Sequence, residues 1–203
     1  MQAVILAAGN GKRMWPLTLE RPKPLIPIAG RPILEHIIDA LPKEISEIIL
    51  VIGYKGDMIK EHFGNVYKER SITYVNQWMP AGTAHALSMA EPLLKDGRFV
   101  LICGDDVHGK EAFTKALSYP LALLAATHPD PSKFGALELN ADHTLASIVE
   151  KSSVPPTHLV STGAMVLDKR IFHYEAMRHE NGEYVVTHPL GLFAKEHPIM
   201  VVE

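Results

Sequence analysis

The feature that most restricts the fold is the alternation of strand-like and helix-like segments over residues 2–127. Short apolar runs with the composition of buried strands lie at residues 2–8, 47–53, 72–77, 99–103 and 121–127. Helical segments lie between them, at residues 33–41, 56–63, 83–94 and 109–118. Elements that alternate in this way form a sheet through right-handed crossovers. We therefore predict an α/β, Rossmann-like fold, whose mixed and mostly parallel sheet carries helices on both faces.

The end of the chain has a different pattern. Two strands at residues 134–139 and 145–150 flank a turn-like segment, residues 140–143, and predict a β-hairpin. The remaining predicted elements are a strand at 161–167, a helix at 169–178, a helix within 186–196 whose start Pro189 delays, and a strand at 199–202. Because no internal repeat or linker interrupts the chain, we expect residues 1–203 to form a single domain.

Composition argues against several classes of function. Hydrophobic residues make up 47% of the 203 residues and charged residues 21%, as in an ordinary globular protein. The formal net charge of -3 argues against a general nucleic-acid binder, which usually carries a basic balance. No apolar run approaches the roughly 18 residues of a membrane span. The lone cysteine, Cys103, suits a reducing compartment. We therefore expect a cytoplasmic protein without nucleic-acid or membrane partners.

The strongest candidate for a ligand site is the loop that follows the first predicted strand. The apolar run stops at Gly9 and Gly11, and Lys12 and Arg13 come directly after. A third cation, Lys23, follows farther along the loop. Glycine lets the backbone approach a ligand closely, and the cations supply charge and hydrogen-bond donors at an edge where open α/β sheets bind ligands. The pattern indicates a polyphosphate site, and a glycine turn with solvated lysines is the alternative.

Two common phosphate-binding motifs do not fit this loop. A dinucleotide-binding fingerprint requires a third glycine at position 14, which is methionine here. A Walker loop requires serine or threonine after Gly-Lys, whereas Arg13 follows Lys12. Residues 9–32 instead contain five prolines, which restrict the backbone and favour an ordered loop.

The loop and its continuation resemble the signature of the sugar-1-phosphate nucleotidyltransferases. The resemblance rests on LAAGNGKRMWPLT at residues 6–18, RPKPL at 21–25 and PIAGRPIL at 27–34. It implies an enzyme that uses Mg²⁺ and transfers a nucleoside monophosphate from a nucleoside triphosphate to a sugar 1-phosphate, with release of pyrophosphate. It also allows for a homo-oligomer. The site residues that it implies in this loop are Ala8, Gly9 and Gly11 for the nucleotide, Arg13 for the pyrophosphate and Lys23 for the α-phosphate region.

A second segment, residues 76–87, is similar to the family's base-recognition segment. The resemblance implies that Gln77 and Gly82 contact the nucleobase and that Thr83 opens a helix beneath the nucleotide. The residue types suit this role, because a carboxamide offers a donor and an acceptor, and a helix start offers free N–H groups. The alternative for Gln77 is an exposed strand end. For His85, on the same predicted helix, we expect packing rather than catalysis.

Two adjacent carboxylates, Asp105 and Asp106, follow the buried strand at residues 99–103. Carboxylates at the carboxyl edge of a sheet suit Mg²⁺, which takes one or two of them together with phosphates and water. The resemblance selects Asp105 as the metal ligand and catalytic residue, with Asp106 as the alternative. A solvated Asp-Asp turn is the explanation that involves no ligand. Within the strand, Cys103 is expected to pack as a small apolar residue.

A third group of residues resembles the family's sugar site. The resemblance implies that Gly135 and Glu150 hold sugar hydroxyls and that Lys151 contacts the sugar phosphate. Adjacent side chains on a strand point to opposite faces, so Glu150 and Lys151 can share a site only where the strand ends or bends. Their alternative is a surface Glu-Lys pair. Ser161 is the remaining predicted substrate-binding residue, and it stands where many family members have asparagine.

The pattern departs from the family towards residue 203. Longer members carry a further segment whose aspartate supplies a second metal ligand, and the family's common YxLTD is YVVTH at residues 184–188 here. We expect either a domain that lacks this segment or a short form whose metal is held by the carboxylates at residues 105–106 and by substrate phosphates. The alternative function is a regulatory homologue that binds nucleotide and sugar phosphate but is catalytically impaired.

Overall fold

The computed structural model of the chain describes residues 1–179 and 182–203. Its strands are β1 (Gln2–Ala7), β2 (Pro27–Ile28), β3 (Arg31–Pro32), β4 (Glu47–Ile52), β5 (Val66–Tyr67), β6 (Arg70–Asn76), β7 (Arg98–Cys103), β8 (Ala122–Thr127), β9 (Gly135–Leu139), β10 (Leu145–Glu150), β11 (Leu159–Asp168) and β12 (Met200–Val202). Its α-helices are α1 (Leu17–Glu20), α2 (Ile33–Ala40), α3 (Gly56–Phe63), α4 (Thr83–Ala90), α5 (Lys110–Leu117) and α6 (Thr187–Ala194).

A ten-stranded sheet organises the molecule. Its order is β10-β9-β11-β7-β1-β4-β6-β5, and β8 joins β11 to β12 beside this path. The central strands β7, β1, β4 and β6 are parallel, so their carboxyl ends meet at one edge. β11 runs antiparallel to both β7 and β8, and β9 and β10 form the predicted hairpin. The predicted fold, with a mixed and mostly parallel central sheet, is confirmed.

The sheet separates two apolar cores. Successive residues of β1 enter different clusters, with Ile5 on one face and Val4 on the other, as the two-residue period of a strand requires. One core also receives Ile37 of α2, while the other receives Leu87 of α4 and Phe193 of α6. Helices therefore cover both faces, and the carboxyl edge of the parallel strands stays between these two layers.

Two helix predictions near the end of the chain were wrong. The helix predicted at 169–178 is only a 3-10 turn, Lys169–His173, which ends where Tyr174 becomes extended. The Asp168 side chain accepts a hydrogen bond from the Arg170 N–H and so favours a tight turn at the start. The helix α6 begins at Thr187, before Pro189 rather than after it. Pro189 lies in the first turn, where an N–H has no partner within the helix and its absence costs little.

The long loop predicted at 9–32 contains more local structure than its prolines indicate. It includes the helix α1, two 3-10 turns (Lys12–Met14 and Lys23–Leu25) and the two-residue strands β2 and β3. Strand β5 was also missed, because two residues are too short to form a recognisable pattern. Among the described residues, no helix combines the length and the apolar character needed to cross a membrane.

Candidate active site

At the carboxyl edge of the parallel strands, neighbouring backbone segments approach one another closely. A Cβ atom added to Gly53 would lie 2.8 Å from the carbonyl oxygen of Ala8 and 3.0 Å from that of Gln77. A Cβ atom on Gly104 would lie 2.7 Å from the carbonyl oxygen of Leu6. These close approaches bring the ends of β1, β4 and β6 together, and they place Ala8 and Gln77 at one side of the edge.

The loop after β1 is fixed to the helix that follows it. Gly11 has a φ of 60°, and a Cβ atom there would lie 2.8 Å from Cγ2 of Thr18. Thr18 is fully buried, and its hydroxyl donates to the carbonyl oxygen of Gly11 at 2.9 Å. The hydroxyl of Tyr54 donates in turn to the carbonyl oxygen of Thr18 at 3.0 Å. The left-handed glycine and the buried threonine therefore hold the loop in one shape.

Two cations of this loop have no counter-ion. Lys12 and Arg13 are exposed, and their side chains form no hydrogen bond or ion pair with the residues that the structure describes. A Cβ atom on the neighbouring Gly9 would meet nothing within 4 Å, so the space above that glycine is open. Open backbone beside two unpaired cations is a suitable environment for an anionic group.

Gln77 follows β6 and is buried, with only 6% of its surface exposed. The alternative that it marks an exposed strand end is therefore wrong. Its Nε2 donates to the carbonyl oxygen of Gly82 at 3.1 Å and lies 2.9 Å from Nδ1 of His85. Gln77 and Gly82, both predicted to contact the base, are thus in direct contact. His85 belongs to the same group, although sequence reasoning assigned it only to helix packing.

Gly82 and Thr83 are also held by a segment far along the chain. Gly82 has a φ of 101°, and an added Cβ would collide with the carbonyl oxygen of Tyr184. The Ala84 N–H donates to that same oxygen at 2.8 Å, and the hydroxyl of Thr83 accepts from the Val186 N–H at 2.9 Å. One N–H that a helix start would leave free is therefore occupied. Tyr184 and Val186 could not be predicted as part of this group, because no local sequence pattern records a contact at this separation.

Three potential metal ligands cluster at the end of β7. Ligand atoms of Cys103, Asp105 and Asp106 all lie within 4.8 Å of one another. Lys23 forms an ion pair with Asp105, which joins the loop after β1 to this cluster. Burial and the neighbouring charge of Asp105 raise the pKa of Asp106 to about 6, and Lys23 opposes the rise. Carboxylates crowded in this way are stabilised when a cation lies between them.

The donor set suits a hard divalent cation. Carboxylate oxygens are the ligands that Mg²⁺ prefers. Burial first, and the charges of Asp105, Asp106 and Glu150 next, raise the pKa of the Cys103 thiol. A thiol kept protonated is a poor metal ligand, so the cluster offers oxygens rather than the thiolate that zinc favours. The ammonium group of Lys23 already provides positive charge at this place.

The Glu150–Lys151 pair meets the geometric condition for sharing a site. Strand β10 ends at Glu150, and Lys151 has a positive φ of 47°. The Lys151 N–H donates to the carbonyl oxygen of Phe134 at 2.9 Å, which holds the bend. Nζ of Lys151 then lies 3.5 Å from Oε1 of Glu150. A Cβ atom on Gly135 would lie 3.2 Å from Oε2 of Glu150, so all three predicted sugar-site residues are adjacent.

Ser161 is linked to the carboxylate cluster through a glycine. Its hydroxyl accepts from the Gly163 N–H at 3.3 Å. Gly163 has a φ of 73°, and a Cβ atom there would lie 2.9 Å from Oδ2 of Asp106 and 2.8 Å from Sγ of Cys103. Sequence analysis named Ser161 alone. The signal for Gly163 was its position two residues later in an irregular strand, where glycine often marks a close approach.

The predicted site residues thus form two groups. We call the first the nucleotide end, and it comprises the predicted residues Ala8, Gly9, Gly11, Arg13, Gln77, Gly82 and Thr83, together with the neighbouring Lys12. We call the second the metal–sugar end, and it comprises Asp105, Asp106, Gly135, Glu150, Lys151 and Ser161. Lys23 connects them, because a Cβ atom on Gly11 would lie 3.4 Å from Cβ of Lys23, whose ammonium group contacts Asp105. The structure records no direct contact between the Gln77 group and the carboxylates among the residues it describes.

The chain is similar to known nucleotidyl transferases over most of its length. The family model described as "Nucleotidyl transferase" matches residues 2–187. The UTP–glucose-1-phosphate uridylyltransferase AglF of Haloferax volcanii is 31% identical over 205 residues, which cover 96% of this chain and 84% of AglF. The bifunctional protein GlmU of Methanococcus maripaludis strain C7 is 35% identical over 194 residues, 94% of this chain and 46% of GlmU.

Solved structures show the same fold. A UDP-glucose pyrophosphorylase complexed with UDP-glucose superposes with a TM-score of 0.86 at 22% identity, covering 100% of this chain and 89% of that protein. A Bacillus anthracis protein assigned as a glucose-1-phosphate thymidylyltransferase gives a TM-score of 0.88 at 25% identity, covering 99% and 86%. Together these matches define a Rossmann-like nucleotide-sugar transferase fold.

The chain belongs to the nucleotidyl transferase family, among the sugar-1-phosphate nucleotidyltransferases. It spans about half the length of the GlmU relative reported above and of similar ones, with 41% to 50% of each covered. The resemblance inferred from the opening loop is therefore confirmed at the level of the family.

Proposed function

We propose that this protein transfers a nucleoside monophosphate from a nucleoside triphosphate to a sugar 1-phosphate, which yields a nucleoside diphosphate sugar and pyrophosphate. The observation that carries the proposal is the ion pair between Lys23 and Asp105. It joins a loop suited to a polyphosphate to a carboxylate cluster suited to a cation. Ser161, a predicted sugar-site residue, accepts a hydrogen bond from Gly163 beside Asp106, which supports a sugar site next to this cluster.

The reaction requires neither a covalent intermediate nor a general base. An oxygen of the sugar phosphate, already anionic at neutral pH, forms a new bond to the α-phosphorus of the nucleotide. The bond between that phosphorus and the α–β bridging oxygen breaks, and its electron pair leaves with pyrophosphate. Both substrates carry negative charge, so the protein's task is to align them and to neutralise that charge.

The residues of the nucleotide end suit the triphosphate. Arg13, unpaired and exposed, is assigned to the pyrophosphate, and its fork of donors suits phosphate oxygens. The backbone around Gly9 and Gly11 is assigned to the nucleotide, because it is open above Gly9 and rigid at Gly11. Gln77 and Gly82 are assigned to the base, with Thr83 fixing the helix beneath it.

The metal–sugar end suits the second substrate. Glu150 is assigned to sugar hydroxyls together with the backbone of Gly135, and Lys151 to the sugar phosphate. The bend at Lys151 places these side chains beside each other, as one ligand would require. Ser161 is assigned to a sugar hydroxyl through Oγ, which already accepts a backbone hydrogen bond and still has its own O–H to donate.

We propose Mg²⁺ as the cofactor, held by Asp105 with Asp106 as a second oxygen donor. When bound, the ion would neutralise phosphate charge and polarise the α-phosphoryl group. The ammonium group of Lys23, now on Asp105, would then become available to oxygens of the α-phosphate. The loop after β1 holds Lys23 at the place where this exchange of partners is needed.

The first substrates to test are UTP and glucose 1-phosphate, because these appear in the name of AglF. We also propose that the reaction occurs in the cytoplasm, where the single cysteine stays reduced, and that a homo-oligomer forms. The decisive experiment measures pyrophosphate release by the purified chain with Mg²⁺ over a matrix of nucleoside triphosphates and sugar 1-phosphates. Formation of the nucleotide sugar is checked by chromatography.

Each result of that matrix has a clear meaning. Mg²⁺-dependent pyrophosphate release that requires both substrates supports the proposal. Tight nucleotide binding with no release from any pair would overturn it and select the regulatory homologue. Release without a sugar phosphate would show simple hydrolysis, which also contradicts the transfer proposed.

A further inference from the structure

The contacts of Gln77 determine which atom of its carboxamide a ligand can meet. A backbone carbonyl only accepts hydrogen bonds, so the atom 3.1 Å from the Gly82 oxygen is the amide nitrogen, Nε2. The second N–H of the same nitrogen points to Nδ1 of His85, at 2.9 Å. Nδ1 is therefore the acceptor of this hydrogen bond.

These two contacts leave Oε1 as the atom available to a ligand. The oxygen accepts no hydrogen bond from residues 1–179 or 182–203. A reversed carboxamide would place Oε1 against the carbonyl oxygen of Gly82, so two acceptors would face each other, and this contact opposes the reversal. The buried side chain of Gln77 is thus presented as an acceptor only.

We propose that His85 is a positioning residue for base recognition, which holds the oxygen of Gln77 towards the nucleobase and so selects bases that donate an N–H there. Uracil and thymine satisfy this requirement through N3–H, and guanine through N1–H. Cytosine and adenine carry an acceptor nitrogen at the corresponding position. The inference rests on the proposed function, because it takes Gln77 as the residue that contacts the base.

The surroundings of His85 allow its hydrogen bond with Gln77 to be removed by substitution without disrupting the fold. The ring borders a cavity of about 290 Å³, also lined by Leu87, Phe172 and Tyr184. Because His85 lines this cavity, a slightly different side chain there does not force dense packing to be rebuilt. The role of the ring as a hydrogen-bond acceptor can therefore be tested separately from its role in filling space.

The test compares two substitutions of similar size. His85→Asn keeps an acceptor oxygen close to the position of Nδ1, whereas His85→Leu removes the acceptor. The measured quantity is the ratio of kcat/KM for UTP to that for CTP, and for GTP to ATP, with one sugar 1-phosphate held saturating. We expect His85→Leu to lower the ratio that shows the wild-type preference, UTP to CTP or GTP to ATP, about tenfold. The change should come from a higher KM for the preferred nucleotide, because one N–H of Gln77 loses its partner.

The His85→Asn variant and the second substrate provide the controls. We expect His85→Asn to keep most of the wild-type ratio of kcat/KM values between the two nucleotides, and KM of the sugar 1-phosphate to change little in either variant. An unchanged ratio in a folded His85→Leu protein overturns the proposal. Equal losses in both variants, with a matching fall in thermal stability, also overturn it, because they indicate a role in packing alone.

Failure of the proposed function would be recognised separately. If the wild-type chain releases no pyrophosphate from any pair, calorimetric titration with UDP, CDP, GDP and ADP in Mg²⁺ replaces the kinetic ratio. A preference for UDP over CDP, or for GDP over ADP, that His85→Leu abolishes and His85→Asn keeps would support the positioning role without turnover. Equal wild-type affinities within both pairs would refute it.

Discussion

The nucleotide end and the metal–sugar end of the site hold their charges in different ways. At the nucleotide end, Lys12 and Arg13 are unpaired in the described part of the chain, and the surrounding backbone is fixed by its own contacts. At the metal–sugar end, Asp105 is paired with Lys23, and Glu150 with Lys151. We therefore expect a ligand to add contacts at the first end and to exchange existing contacts at the second. Loss of a charge should accordingly weaken binding at one end and disturb two partners at the other.

The largest effect is expected from Asp105→Asn. The substitution removes a cation ligand and the counter-ion of Lys23 together, so we expect kcat to fall about 10²- to 10³-fold, as when a main electrostatic group of a transition state is lost. Pyrophosphate release at saturating substrates measures it. Asp106→Asn is the matched comparison: as the second oxygen donor it should lower kcat less, and a larger fall than that of Asp105→Asn would mean that the two aspartates have been assigned the wrong way round.

Gly82→Ala tests the fixed backbone of the nucleotide end. The new Cβ would lie 2.7 Å from the Tyr184 nitrogen at a φ of 101°, so we expect the free energy of unfolding to drop by about 3 kcal/mol. Chemical denaturation provides the measurement. Gly9→Ala, where the added Cβ meets nothing within 4 Å, should leave stability unchanged and impair only nucleotide binding. Similar unfolding free energies for the two variants would contradict the contrast.

Arg13→Ala tests the unpaired charge. Since no described residue depends on this side chain, we expect unchanged stability and a rise of about 10- to 100-fold in KM for the nucleotide, the range for a lost charged hydrogen bond. The KM of the sugar 1-phosphate should stay constant. Arg21, another exposed cation of the same loop, serves as the control. If Arg21→Ala and Arg13→Ala behaved alike, the effect would be one of general charge and not of a specific contact.

The smallest effect is expected at the ion pair between Asp168 and Arg170, which lies outside both ends and serves as a reference for the other predicted effects. The Arg170 guanidinium and its hydrogen bonds hold the pKa of Asp168 below its usual value. A lowered carboxyl pKa gives stability that is complete above pH 4 and is lost as pH falls through the folded-state value. We expect Asp168→Asn to cost roughly 1 kcal/mol at pH 7 and progressively less below pH 4, by thermal unfolding. A loss that did not depend on pH would show that packing, not charge, is responsible.

Sequence reasoning succeeded where the determining interactions are local. The strand ends at Ala7, Ile52 and Cys103 follow from apolar runs that stop at glycine or at polar residues, and the bend that Glu150 and Lys151 require was stated from strand geometry alone. The roles of individual residues came mainly from the resemblance. Residues of the site that sequence reasoning missed depend on distant neighbours: His85 on Gln77, Gly163 on Asp106, and Tyr184 on Gly82. No period or motif within a short window encodes such contacts.

The helix predictions that were wrong have local causes that a pattern does not reveal. The segment after Asp168 has helical composition, yet the side chain of that aspartate favours a 3-10 turn. Pro189 was treated as a barrier, although proline within a first turn removes only an N–H that has no partner. Both cases concern the first residues of a helix, where the side-chain and backbone contacts of individual residues outweigh average propensity.

The hydrogen bond from Val186 to Thr83 joins residues 103 positions apart. A chain that emerges from the ribosome in order will therefore have made the loop after β1, Gln77 and the two aspartates at 105 and 106 before this contact can form. The helix that carries Thr83 stays without its partner segment until Val186 has been synthesised. Ligand binding can assist folding only after that moment, so nucleotide is expected to rescue late folding intermediates and not early ones.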